Sequence, residues 1–274
     1  MTEPAAQPFG GGLELRIAEA AARAGGEVLI RRLREGADLE IGYKDARANL
    51  VTEADRESQR AVAATILTAF PDHAVNGEEG TAGNFDAASV WYVDPLDGTT
   101  NYAHGVPFYC VSVALRSGGK TVAGAVYDPV RVELCGAVHG GGATLNSRPL
   151  LGSDVSRLDR ALVVAQAQTV DADEIHAYAA LVERLMSVCG GVRSLGSPAL
   201  TLCAIAAGRL EAYCEYTMDA WDILAGGLIL AEAGGKLTLF NGRPHDSTER
   251  ADVIASNGHV HAELIAALDQ EGLQ

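Results

Sequence analysis

The densest concentration of chemistry in the chain is Asp94-Pro95-Leu96-Asp97-Gly98-Thr99-Thr100-Asn101. Asp94 closes the apolar run Val90-Trp91-Tyr92-Val93, which reads as a buried strand stopping at Asp94-Pro95. Two carboxylates two residues apart, with the Leu96 carbonyl between them, supply three oxygens to one hard cation. Asp97-Gly98 then turns the chain into a helical start at Thr99-Thr100, where the Gly98 and Thr99 amides would suit a phosphate. A strand, an Asx-turn and a helix cap use the same residue types. The stretch gains its meaning from three others.

Gly77-Glu78-Glu79-Gly80 is a short glycine-flanked loop, and only one of two neighbouring carboxylates can easily face inward. Glu78 or Glu79 is then a candidate ligand while the other is solvated. Thr52-Glu53-Ala54-Asp55 fits a capping box, so Asp55 either serves the first turn of a helix or hydrogen-bonds a hydroxyl near bound cations. Asp222 follows Trp221 at the entrance to the apolar, small-residue stretch Ile223-Leu224-Ala225-Gly226-Gly227-Leu228, and no Lys or Arg lies within a turn of it. Burying an unpaired carboxylate costs several kcal/mol. Asp222 therefore caps the helix or meets a cation from outside.

Other chemistries find less support. There is no GxxxxGK[ST] phosphate loop, and Gly140-Gly141-Gly142 reads as a hairpin turn. The seven histidines include no HExxH pair; His104 stands just after the acidic motif, and His139, His245, His259 and His261 read as solvated turn residues. The five cysteines show no CxxC spacing and read as small buried thiols of a reducing compartment.

With Asn49-Leu50-Val51-Thr52-Glu53-Ala54-Asp55, Lys44 upstream, and Glu232-Ala233-Gly234-Gly235 added, the four acidic motifs, in this order, resemble the inositol monophosphatase family of magnesium-dependent, lithium-sensitive sugar-phosphate phosphatases. The resemblance runs from about Leu13 to Leu268. It implies a five-layered αβαβα sandwich of the α/β class and metal ligands at Glu78, Asp94, the Leu96 carbonyl, Asp97 and Asp222. It further implies two or three Mg²⁺, catalytic roles for Glu78 and for an Asp55–Thr99 dyad that polarises a water, substrate contacts from Gly98, Thr99, Ser197 and Glu215, and a homodimer. Four carboxylates alone would repel a phosphate; the cations would create the anion site.

The reaction so implied is hydrolysis of a myo-inositol monophosphate by in-line attack of a metal-activated water, with no phosphorylated side chain. Glu215 favours a polyol. Fructose-1,6-bisphosphatase and histidinol-phosphatase activities share these motifs and stay open, and a non-catalytic regulatory or scaffold homologue is the reading from a different class. Ala165 to Glu174 lacks the Gly-Phe-Pro of many inositol phosphatases, and Asn49 stands where an Asp is common.

These residues need rigid elements behind them. Leu13, Ile17, Ala20, Ala21, Ala24 and Val28 recur at helical spacing up to about Leu33, and a second helix spans about Thr52 to Phe70, ended by Pro71. The turn-rich stretch Glu35 to Asn49 joins them. Strands over 107–115, 122–127, 132–138 and after Gly142 then form an antiparallel meander. The second half alternates: strand 161–165, helix 173–187, strand 192–195, helix 197–207, strand 210–215, helix 219–233, strands 236–240 and 253–255, helix 259–268. Such alternation argues for stacked layers of sheet and helix. Residues 1–12 read as a tail, and 13–270 as a single domain with halves meeting near 150.

The chain has 274 residues, enough for a core that needs no staple. With 36 acidic against 21 basic residues the net charge is −15. No basic stripe is available for a nucleic-acid backbone or an anionic membrane. No apolar stretch is long enough to span a bilayer and no signal-peptide pattern opens the chain, so a cytoplasmic enzyme acting on a small phosphate monoester is expected.

Overall fold

The computed structural model describes residues 12–35, 41–43, 50–84, 87–167, 169–245 and 247–269, with the backbone alone at 41–43 and 50–52. Lys44, Asn49 and nearly all of the N-terminal tail lie outside the described residues.

The helix expected at the start is α1, Leu13–Arg34, followed by a short antiparallel pair, β1 (Ile41–Tyr43) and β2 (Leu50–Thr52), and by α2, Glu53–Ala69. Next come β3 (Ala74–Gly77), β4 (Gly80–Gly83), β5 (Ser89–Asp97), the one-turn helix α3 (Thr99–Ala103), β6 (Cys110–Ser117), β7 (Lys120–Asp128), β8 (Glu133–Val138), β9 (Gly142–Leu145) and β10 (Arg148–Pro149). The second half carries β11 (Leu162–Gln166), α4 (Ala172–Val188), β12 (Gly191–Arg193), α5 (Pro198–Ala206), β13 (Ala212–Met218), α6 (Ala220–Glu232), β14 (Lys236–Leu239), β15 (Ala251–Ser256) and α7 (His261–Asp269).

Among the described residues the strands form two main sheets, ordered β10-β9-β8-β7-β6-β5-β3-β4 and β12-β11-β13-β15-β14. Period-two alternation gives each sheet two apolar faces. Val111, Val113 and Leu115 of β6 pack with α1 and α2, whereas Cys110 and Ala114 pack with α5 and α6. In the second sheet Tyr213 and Val164 face α5 and α6, while Ala212, Cys214 and Val163 face α4 and α7. The layers therefore run α1/α2, sheet, α5/α6, sheet, α4/α7, the five-layered αβαβα sandwich that the resemblance implied.

The middle layer sees sheet on both sides, which is why α5 and α6 are apolar all round where α1 is amphipathic. Each fully buried Leu or Ile in these layers, such as Leu202, Ile205 and Ile223, contributes roughly 1.5–3 kcal/mol. Small residues let the outer layer approach closely: a Cβ at Gly25 of α1 would stand 2.7 Å from the Ser58 hydroxyl of α2.

Strand β5 departs from the expectation. It does not stop at Asp94-Pro95 but resumes after a break in register between Asp94 and Asp97, which pair with Ser112 and Cys110 of β6. Proline has no N–H to donate, so the ladder is interrupted rather than ended. The hairpin expected at Gly140–Gly142 joins β8 to β9, with Gly140 N and Gly142 N donating to the Glu232 carboxylate at 2.6 and 2.8 Å. His261 is a correction: it is buried rather than solvated, its Nδ1 2.8 Å from Ser256 Oγ and its Nε2 3.0 Å from Thr238 Oγ1. Among the described residues no helix is long and apolar enough to cross a membrane.

Candidate active site

The acidic motifs emerge where parallel strands end and helices begin. β3 and β5 run parallel, and their C-terminal ends lead into Glu78 and into Asp94–Asp97. β11 and β13 run parallel in the other sheet and end at Gln166 and near Glu215. Asp55 is in the first turn of α2, Ser197 caps α5, and Asp222 is in the first turn of α6. Ligand sites in α/β sheets form at such strand ends.

The bulge in β5 aims two carboxylates from one strand. Leu96 N donates to Asp94 Oδ1 at 2.9 Å, a local Asx bond that sets the Asp94 side chain. Ser58, one turn beyond Asp55 on α2, donates to the Pro95 carbonyl at 2.8 Å and fixes the bulge against that helix. Asp97 Oδ2 accepts from Ser197 Oγ at 2.6 Å, Ala199 N at 2.8 Å and Cys110 Sγ at 3.4 Å. Gly98 is left-handed at φ 94, and a Cβ there would stand 2.9 Å from the Phe108 carbonyl oxygen, so the turn requires glycine. The half-buried Thr99 donates through Oγ1 to the Leu96 carbonyl at 2.9 Å.

Ser112, opposite Asp94 in the ladder, donates to the Trp221 carbonyl at 3.0 Å and so sets the first turn of α6 beside β5. Asp222 uses one oxygen as a cap, Oδ2 accepting from Asp219 N at 2.9 Å. The choice between a cap and a cation thus resolves as a cap on one oxygen, with the side chain still half-buried among other carboxylates. Glu79 is not solvated but pairs with Arg56 at 3.4 Å, while Gln59 of α2 accepts from Glu79 N at 2.9 Å and donates to the Gly80 carbonyl at 2.9 Å. The charge of Glu78 bears on Asp94 and Asp222.

Asp55, Asp94, Asp97 and Glu215 each expose 3% or less of their surface. Burial, and then repulsion from Glu78, Asp97, Asp222 and Asp55, push the Asp94 carboxyl well above its usual range. Burial and the Asp97 charge do the same to Asp222. Asp97 is pushed up to about 6 by burial, against the pull of its hydrogen bonds. Glu215 is raised by burial, with Asp222 and Asp97 adding to it. Five carboxylates thus share one cleft, and Glu215 borders it.

Among the described residues no three of these side chains, as they stand, draw close enough to enclose an ion. Glu78, Asp97, Asp222 and Asp55 each add to the charge that Asp94 feels. Asp94, Asp97 and Asp222 each anchor one oxygen on the protein. The donor set, carboxylates and one backbone carbonyl, fits a hard divalent ion.

Ser197 lies elsewhere than the substrate-facing position implied for it: it is fully buried, and its hydroxyl donates to Asp97. His104 is exposed. Sequence reasoning missed Ser58, Gln59, Ser112 and Gln166. A signal exists for Gln59, one turn from Asp55, and for Gln166, a polar residue closing an apolar strand; Ser58 and Ser112 act on chain more than thirty residues away and leave no local trace.

The model of the inositol monophosphatase family matches residues 14–273. A Pseudomonas aeruginosa protein named Nus factor SuhB is 36% identical over 259 residues, covering 93% of this chain and 95% of the relative. An inositol-1-monophosphatase from Synechocystis is 40% identical over 236 residues, covering 84% and 80%. Among solved structures, the extragenic suppressor protein suhB of Bartonella henselae superposes with a TM-score of 0.89 at 33% identity, covering 94% of this chain and 99% of that one. The inositol monophosphatase of Anabaena gives 0.80 at 37% identity, covering 94% and 95%.

Proposed function

Because the chain belongs to the inositol monophosphatase family, we propose that it is a Mg²⁺-dependent phosphomonoesterase acting on a polyol phosphate of the myo-inositol 1-phosphate type. The observation that carries this reading is the convergence of Asp55, Glu78, Asp94, Asp97 and Asp222 on one cleft from α2, the β3–β4 turn, β5 and α6. Concentrating such charges away from water is costly unless cations enter. Glu78, Asp94, the Leu96 carbonyl, Asp97 and Asp222 would hold two or three Mg²⁺. Bound there, the ions would cancel the charge that repels a phosphate and supply Lewis acidity to the phosphoryl group and its attacking water.

The remaining work falls to the chain. Thr99 spends its proton on the Leu96 carbonyl, so it offers a water a lone pair, and Asp55 offers a second acceptor. A water held through both hydrogens presents its own lone pair to phosphorus, which in-line attack requires. Gly98 keeps the turn free of a side chain. Glu215 commits Oε2 to Gln166 and keeps Oε1 for a substrate hydroxyl. Ser197 supports Asp97 rather than touching substrate.

Phosphate release from myo-inositol 1-phosphate, fructose 1,6-bisphosphate and histidinol phosphate, with and without Mg²⁺ and Li⁺, tests the reading. Mg²⁺-dependent, Li⁺-inhibited release, fastest from the inositol phosphate, is expected. Release from none of the three would refute it and favour a regulatory role, the reading suggested by the name Nus factor SuhB carried by the Pseudomonas aeruginosa and Pasteurella multocida relatives.

A further inference from the structure

We propose that Gln166 is the positioning residue that aims Glu215 at the substrate's hydroxyls and so sets a preference for polyol phosphates; this rests on the polyol-phosphatase reading above. β11 and β13 lie side by side in parallel with Gln166 and Glu215 in register, so both side chains leave the same face at one end of the sheet. Gln166 is only 3% exposed, and both ends of its amide are spent. Nε2 donates to Glu215 Oε2 at 2.6 Å and to Tyr213 Oη at 3.3 Å, and Oε1 accepts from Gly196 N at 2.8 Å.

Only an amide satisfies both neighbours at this reach. A carboxylate would repel Glu215, a lysine could not accept from Gly196 N, and an aliphatic side chain would leave both buried groups without a partner. The ladders fix the Glu215 backbone, paired with Gln166 of β11 and Val253 of β15, but not the direction of its carboxylate. β13 loses register between Glu215 and Met218, where Thr217 is left-handed at φ 60. Asp252 accepts from Thr217 N at 2.8 Å and Arg250 donates to the Thr217 carbonyl at 2.9 Å, so β13 bulges immediately after Glu215 and pairs with β15 again at Met218. The side-chain bond from Gln166 sets the direction of a carboxylate whose backbone the ladders already hold.

The other end of the amide accepts from Gly196 N, in the loop before α5. Gly196 precedes Ser197, whose hydroxyl, with Ala199 N, grips Asp97. Glu215, Gln166, the Gly196–Ser197 backbone and Asp97 thus form one connected set. It fixes the spacing between an acceptor for hydroxyls and a carboxylate at the phosphate end. A substrate is selected by matching that spacing, and a phosphate ester without hydroxyls does not use it.

The test is KM and kcat of the full chain with Mg²⁺ on myo-inositol 1-phosphate and on p-nitrophenyl phosphate. Gln166→Met is expected to raise KM for the inositol phosphate about tenfold, with KM for the aryl phosphate within about twofold. The same substitution in a Glu215→Gln background is expected to add no further rise, because Gln166 acts through Glu215. Gln166→Asn, which keeps the amide but is one methylene too short to span both partners, is expected to show the same split and serves if the Met variant does not fold. Equal KM increases on both substrates, or additive losses with Glu215→Gln, would make Gln166 merely structural and overturn the proposal. Wild-type protein that shows no preference for the inositol phosphate would overturn the polyol reading and this inference with it. A wild-type preference that survives in both Gln166 variants would overturn the inference alone.

Discussion

Replacing Asp97 by Asn makes the uncompensated charge of the cleft measurable. Asp97 is buried and its carboxyl is pushed up from 3.8 to about 6. An unfolded chain ionises it at the lower value, so between pH 4 and 6 the folded state holds the extra proton and stability falls as pH rises through that window. The gap of roughly two pKa units, at about 1.4 kcal/mol each, makes the charged side chain cost about 3 kcal/mol at neutral pH without a cation. Asn resembles the protonated acid: its Oδ1 still accepts from Ser197 Oγ and Ala199 N. In EDTA at pH 7.5 the Asp97→Asn protein should therefore be more stable than wild type by about 3 kcal/mol, a rise in Tm of roughly 5–10 °C for a chain of this size. At pH 5 about half of that advantage should remain, because wild-type Asp97 is then largely protonated in the folded state. Added Mg²⁺ should stabilise wild type by mass action, about 2.7 kcal/mol at a hundred times Kd, and the variant much less. Calorimetry of both proteins at the two pH values, in EDTA and in Mg²⁺, measures each quantity. A variant less stable than wild type in EDTA at pH 7.5, with no narrowing at pH 5, would show that ordinary protein partners already compensate Asp97 and would refute the argument.

Three further outcomes are expected. Glu215→Gln should raise KM for polyol phosphates while leaving p-nitrophenyl phosphate nearly untouched, and equal losses in steady-state kinetics would contradict its place beside the substrate hydroxyls. Gly98→Ala should destabilise the fold by about 2–3 kcal/mol, since a left-handed φ of 94 and a Cβ 2.9 Å from the Phe108 carbonyl oxygen act together; urea unfolding with an unchanged midpoint would show that the turn can give. His261, lowered by burial from 6.5 to about 4, stays neutral in the fold while the unfolded chain protonates, so its contribution of about 3 kcal/mol is present above pH 6.5 and is lost as pH falls towards 4. That trend opposes the one from Asp97, and acid titration of His261→Gln beside wild type separates them: an unchanged acid midpoint would remove His261 as its cause.

The local motifs were legible because their chemistry is local. Asp94, Leu96 and Asp97 sit within four consecutive residues at the end of one strand, whose ladder is interrupted at a proline. The alternation of strands and helices likewise argued for stacked layers, and the apolar small-residue stretch after Asp222 for a buried helix, whereas the five-layered order came from the family resemblance. Tertiary packing decided what depends on which neighbour comes first to a side chain. Arg56 pairs with Glu79; Asp97 took the hydroxyl of Ser197; Ser256 and Thr238 enclosed a histidine that stands beside turn residues in the sequence. Gln166 shows the limit most clearly, since its partners Gly196, Tyr213 and Glu215 lie 30, 47 and 49 residues away and become neighbours only in the folded sheet. A side chain's type fixes which bonds it can make, and only the folded chain brings the partner that receives them.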